Sequence, residues 1–221
     1  MRSYLAFGTA LLVTASLGTA AEAATNLVVN GSFELGVDPA GESQLFAGDT
    51  TSLTGWKILA TGVNYADNTA WDAADGSRSL ELNGSGDRGG VLQRVNGFTK
   101  GYRYQLKFNV SANPFDPAVR PKPARVIASL SGGIAEIYTY TLNDINTPTN
   151  MLYDTVTYNF VSSGTFQDLQ FRSLTAGVYG PVIDAVSISV VPEASTWMML
   201  IAGFGLVGLA SRRRKIGAVS A

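Results

Sequence analysis

The chain has 221 residues, 16 Lys and Arg against 17 Asp and Glu, no histidine and no cysteine. The missing cysteines exclude a disulfide framework, and the missing histidines exclude Ser-His-Asp and Cys-His catalysis and any His-ligated zinc or copper site. Carboxylate chemistry and oxygen-ligated cations such as calcium stay open.

The chain opens with Met1-Arg2, an apolar run from Tyr4 to Leu17, and then Ala21-Glu22-Ala23. One positive charge, a short apolar stretch and small residues before the cut predict a secretory signal peptide over 1–23, a signal helix cleaved after Ala23. The run is too short to cross a bilayer, which takes about 20 residues. Signal peptidase and the secretion machinery are the first expected partners.

Residues 24–190 are long enough for one domain with a real core and short for two. They are rich in Gly, Asn, Ser, Thr and aromatics. Asn26–Phe33 reads as a first strand, followed by Ser79–Leu82 and Val91–Val95. From Tyr102 to Val110 every second residue is apolar, the period of a strand with one buried and one wet face. Ala124–Leu130, Glu136–Leu142, Thr155–Val161, Gln167–Leu174 and Val182–Val190 read likewise. Turn signals such as Asn83-Gly84, Asn96-Gly97 and Ser131-Gly132-Gly133 separate them. About eight or nine short strands predict an all-β fold, an antiparallel β-sandwich of jelly-roll type. The Pro-rich stretch 113–123 reads as a loop, because Pro cannot donate to a ladder, and as a candidate ligand-contacting segment. The domain is mildly acidic and shows no basic stripe, so nucleic acid is not an expected partner.

The tail, 191–221, changes character. Pro192 ends the last strand, Trp197 stands where an aromatic marks a membrane interface, and 194–211 carries no charge before Arg212, Arg213, Arg214 and Lys215. This predicts a C-terminal transmembrane helix over 194–211, close to the minimum length. Its basic end, 212–215, stays inside and the domain outside, in agreement with the signal peptide. A buried amphipathic helix is the alternative, but the segment has no polar face. The tail resembles the PEP-CTERM family of sorting tails in the form Pro-Glu-Pro-x-x-Trp-Ala. Pro192, Glu193, Trp197, Arg212, Arg213 and Arg214 carry the resemblance, and Ala194 and Met198 depart from it. The resemblance implies recognition by an exosortase, a membrane-embedded transpeptidase-like enzyme. Cleavage near the motif would release the domain or pass it to an acceptor in the exopolysaccharide matrix. The expected course is an exported precursor anchored in the inner membrane, then a product at the cell surface or in the extracellular matrix.

In Val182–Val190, simple alternation places Asp184 on one face with Val182, Val186, Ile188 and Val190. A carboxylate there must be paired, hydrogen-bonded or metal-bound. If the first and last strands are neighbours, Glu34 comes near it. The phrases 26–34, Gly55-Trp56, 79–84 and 183–188 together resemble the choice-of-anchor C family and related galactose-binding-like jelly rolls, several carbohydrate-binding modules among them. That resemblance implies a structural calcium ion held by Glu34 and Asp184 with backbone carbonyls. Capping of backbone amides, or an arginine partner, is the alternative for Asp184. It also implies sugar binding through exposed aromatics. Phe115, in the Pro-rich loop, Trp71 and Tyr179 are the ligand-binding candidates, with Trp56 and Tyr65 beside them. Core or edge packing is the stronger reading for Trp56 and Trp71, which precede or follow strands, and Tyr102, Tyr104 and Phe108 are expected in the core.

The function expected is that of a non-catalytic envelope or matrix protein with exopolysaccharide as its ligand, and no catalytic residue is assigned. One alternative is a carbohydrate-active enzyme working with two carboxylates. Asp72 with Asp75, or Glu81 with Asp87, are the available pairs, all near turns where acids are usually solvated. The other alternative is a purely structural matrix component.

Overall fold

The computed structural model describes residues 25–191, apart from 117, 121 and 142–145, and residues 200–209. Eleven strands occupy the described domain: β1 (Glu42–Leu45), β2 (Lys57–Ala60), β3 (Val63–Asp67), β4 (Arg78–Glu81), β5 (Gly89–Asn96), β6 (Arg103–Ala112), β7 (Ala124–Leu130), β8 (Ile134–Tyr140), β9 (Asp154–Val161), β10 (Phe166–Ser173) and β11 (Pro181–Val190). They form a six-stranded sheet, β1-β3-β4-β11-β6-β9, and a five-stranded sheet, β2-β5-β10-β7-β8. Every pairing is antiparallel. This is the predicted all-β sandwich.

Period-2 patterning builds the core. Tyr104, Leu106, Phe108 and Val110 of β6 face inward, against Leu169 and Phe171 of β10. Aromatic rings run through the centre: Phe33 to Trp56 at 5.4 Å, Trp56 to Phe171 at 6.4 Å and Phe171 to Phe108 at 4.9 Å. Such pairs add about 0.5–1.5 kcal/mol each beyond the area they bury. Tyr102 lies just before β6 and is 57% exposed, not in the core. The turn that opens β6 uses its N–H, which donates to Thr99 O at 3.1 Å.

The predicted first strand, 26–33, is instead a series of turns. Asn30 and Phe33 take φ of 53° and 58°, outside the extended region. The segment still lies beside β11: Leu27 N–H donates to Ile188 O at 2.8 Å and Val186 N–H to Gly31 O at 2.9 Å. A Cβ on Gly31 would collide with the Val186 carbonyl oxygen, so only glycine permits this approach. The three short strands β1, β2 and β3 carry too few alternating residues to stand out in the sequence.

A bulge divides β11. Its register against β6 shifts between Asp184 and Ser187, and Ala185 takes φ 51°. One extra residue reverses the alternation. Val182, Asp184, Ser187 and Ser189 therefore share the outer face, while Ile183, Val186 and Ile188 enter the core. This corrects the sequence expectation that Asp184 shares a face with Val186 and Ile188. The Asn26 side chain serves the bulge, donating to Val186 O at 3.4 Å and accepting from Ile188 N–H at 3.0 Å.

The predicted signal peptide, 1–23, lies outside the described residues, as do Pro192, Glu193, Trp197, Arg212, Arg213 and Arg214. Within the predicted span 194–211, residues 200–209 are helical. Among the described residues no helix is long and apolar enough to cross a membrane.

Candidate functional site

The outer face of the six-stranded sheet has a covered half and an open half. Loops around 68–77, 113–116, 118–120 and 146–153 roof the part over β3, β4 and the start of β11. Trp71, Ala66, Met151 and Val182 form a second apolar cluster there. Hydrogen bonds fasten the roof: Trp71 Nε1 donates to Ser79 Oγ at 2.8 Å, Ser111 Oγ to Met151 O at 2.5 Å, and Tyr153 OH to Asp72 O at 3.1 Å. Two carboxylates, Asp184 and Glu81, are fully buried.

Asp184 takes three backbone donors. Ala74 and Asp75 N–H reach Oδ2 at 2.7 and 2.9 Å, and Ala185 N–H reaches Oδ1 at 2.6 Å. Burial still outweighs these donors and pushes its carboxyl up to about 7. Glu34 holds the other end of the same segment, accepting from Ser77 N–H, Ser77 Oγ and Arg78 N–H, each at 2.8 Å. The two acids meet through the 74–78 segment. The groups facing their oxygens are N–H and O–H donors, whereas calcium requires open oxygens. The arrangement does not fit the calcium expected from sequence. It fits backbone capping. Among the described residues no group of three or more acids is placed to hold a metal.

Glu81 accepts from Gly180 N–H at 2.5 Å and from Asn64 Nδ2 at 2.9 Å. Burial above all, with the charge of Glu42 added, pushes its carboxyl up to about 8. The solvated surface acid expected from sequence is thus a sealed one, while Asp87, its supposed partner, is exposed. Asp72 and Asp75 are also exposed, and Asp75 Oδ2 accepts from Ser32 Oγ at 2.5 Å.

The open half spans the end of β11 with β6 and β9. Gln105 Nε2 donates to Asn159 Oδ1 at 3.2 Å, and Thr155 Oγ1 to Asn109 Oδ1 at 3.0 Å. Thr157, Ser187 and Ser189 lie on the same face by register. The strip offers amides and hydroxyls, each able to donate and accept, with the Lys107 ammonium, a donor only, between Ser187 and Thr157. Sequence reasoning passed over it, because polar residues on a wet strand face look ordinary one strand at a time.

The family profile described as protein of unknown function (DUF642) matches residues 26–189. The chain belongs to the DUF642 family. A PEP-CTERM protein-sorting motif matches residues 190–215, where the sequence places the sorting tail. No curated protein matches the chain in sequence. Among solved structures, a family 16 carbohydrate-binding module is similar at 17% identity over 74% of this chain and 99% of that one, with a TM-score of 0.47. A family 61 module in complex with β-1,4-galactotriose is similar at 15% identity over 76% and 99%, with a TM-score of 0.46. The xylan-binding CBM22-1 domain from Paenibacillus barcinonensis is similar at 19% identity over 79% and 100%, with a TM-score of 0.40.

The aromatic candidates of this DUF642 domain divide by exposure. Trp71 is 1% exposed and meets Phe115 edge-on at 5.6 Å. Its faces are covered, so the stacking role expected for it is not open. Phe115 remains 37% exposed against that buried ring. Tyr179 is half-buried, next to Gly180, whose carbonyl accepts from Asn113 N–H at 2.9 Å and so joins the Phe115 and Tyr179 loops. Trp56 and Tyr65 are buried and donate to Asn30 O at 3.0 Å and Phe33 O at 2.5 Å.

Proposed function

We propose that this DUF642 protein is an exported, non-catalytic matrix protein, sorted by an exosortase through its PEP-CTERM tail, whose open amide-hydroxyl strip binds neutral polysaccharide. The sorting motif at 190–215 carries the reading. Glu81 and Asp184, the two acids with strongly raised pKa, are sealed under the roof and hydrogen-bonded, which favours binding over glycosidic chemistry. The strip supports the choice of ligand, since sugar hydroxyls pair best with side chains that both donate and accept.

Intact-mass measurement of envelope and secreted material tests the sorting. Cells with an exosortase are expected to yield a product ending near Pro192. A mass that still includes residues beyond Trp197 in such cells would refute processing. For the ligand, a Gln105→Ala, Asn159→Ala double variant is expected to pull down neutral matrix glycan about tenfold less well, the scale of two lost hydrogen bonds. Equal binding by parent and variant removes the strip from the reading.

A further inference from the structure

Residues 25–191 carry 11 Lys and Arg against 15 Asp and Glu, yet the outer face of the five-stranded sheet has the opposite sign. By register, Lys57 of β2, Arg94 of β5, Arg172 of β10 and Arg125 of β7 all point outward, and all four are exposed. Asp168 is the one acid among the outward strand positions of that face. It is taken by Arg94, at 2.9 Å, and the Arg94 guanidinium also lies 4.7 Å over the Phe166 ring. Lys57, Arg125 and Arg172 form no ion pair among the described residues.

The cations are spread across four adjacent strands about 4.8 Å apart, so together they make a band and not a point. Arg172 stands opposite Gly90 on β5. A Cβ there would collide with the Phe171 carbonyl oxygen and would also meet the Arg172 Cγ at 3.0 Å, so glycine permits the close strand approach and leaves room for the arginine stem. Arg125 lies diagonally beside Arg172 on the neighbouring strand, two residues from its register partner Ile127. Like charges so placed repel unless an anion lies between them. At the β2–β5 edge a groove of about 280 Å³ has Lys57 and Arg94 on its wall, with Thr50, Trp56 and Leu92. No stripe announces this band in the sequence, because each strand contributes a single cation.

We propose that this face, with its edge groove, binds an extended carboxylate-bearing polysaccharide, the arginines taking carboxylates in bidentate fashion and Lys57 as a point charge. Charge complementarity selects a polyanion. The choice of a glycan over a lipid surface rests on the matrix placement proposed above. The site is separate from the amide-hydroxyl strip, which lies on the other sheet.

The test uses the full chain in neutral detergent and polygalacturonate as probe. Parent protein is expected to bind it, and to bind it about tenfold more weakly at high salt, because exposed charges are screened over about 8 Å at physiological ionic strength. A Lys57→Gln, Arg125→Gln, Arg172→Gln triple variant is expected to bind at least about tenfold more weakly, while Lys100→Gln, on an exposed turn, binds like the parent. The triple variant should keep its near-ultraviolet circular dichroism and its binding of neutral glycan, which separates failure of this site from failure of the strip or of folding. If the triple variant misfolds, the three single variants are measured instead, each expected to weaken binding. Equal polygalacturonate binding by parent and variants, or none by the parent, overturns the proposal. So does competition by phosphatidylglycerol doped into the micelles that vanishes in the variant, since that assigns the face to a lipid surface.

Discussion

Replacing Asp184 with alanine is expected to destabilise the domain by about 4 kcal/mol, read as an unfolding temperature lower by roughly 10 °C. The variant leaves the N–H groups of Ala74, Asp75 and Ala185 with no acceptor. A buried donor left unmade costs about 1–3 kcal/mol, the lower end applying to these part-buried groups, and none of the three can turn away, because all belong to the backbone. The comparison belongs at pH 6, below the raised carboxyl value of about 7, where Asp184 of the parent is mostly protonated. Asp184→Asn should fall between parent and alanine. Its carbonyl still serves Ala74 and Asp75, but its NH2 then faces the Ala185 N–H. Calcium and chelator are expected to leave the parent's unfolding temperature within about 1 °C of each other, since a site filled by N–H donors gains nothing from the ion. A clear calcium-dependent rise would mean that the 74–78 segment opens and gives the carboxylates to a cation.

Asp184 also shows where sequence reasoning reaches and where it stops. A carboxylate inside Val182–Val190 is conspicuous in the sequence, and its need for partners follows from charge alone. Its face does not follow, because the bulge at Ala185 is set by Asn26 and Gly31, some 150 residues away along the chain. Strand β6 was readable throughout, since ten residues of clean alternation leave one solution. The segment 26–33 alternates too, but Asn30 and Phe33 at positive φ coil it. Glu81 looks like any polar residue between Leu80 and Leu82, on the wet side of a strand. It is buried only because loops distant in sequence fold over that side. The cations of the five-stranded sheet become neighbours only through the strand order β2-β5-β10-β7.

Replacing Glu81 with glutamine is expected to act in the opposite sense from Asp184→Ala, and the difference should appear with pH. The Glu81 carboxyl moves from 4.5 to about 8 on folding. Between those values the folded chain holds a proton that the unfolded chain has released. Stability therefore falls as pH rises through this window, being fully present below 4.5 and lost above 8. Asp184, moving from 3.8 to about 7, works in the same direction. Asp67 and Asp168, whose carboxyls are held low by hydrogen bonds to Thr69 and Arg94, work in the other direction but only in acid, at about pH 4 and below. The parent is thus expected to melt at a higher temperature at pH 5 than at pH 8, with Glu81 accounting for a difference on the order of 3 kcal/mol. Glutamine keeps a carbonyl for the Gly180 N–H. Its NH2 replaces the oxygen that faced Asn64, and Asn64, a side-chain amide, can turn over and present its oxygen. Glu42, which also takes a hydrogen bond from Asn64, stands at the surface and can turn to water. Glu81→Gln should therefore raise the unfolding temperature at pH 8, change it little at pH 5, and flatten the slope between them. Parallel melting curves for parent and variant across that range would show that the proton on Glu81 is not what links this fold to pH.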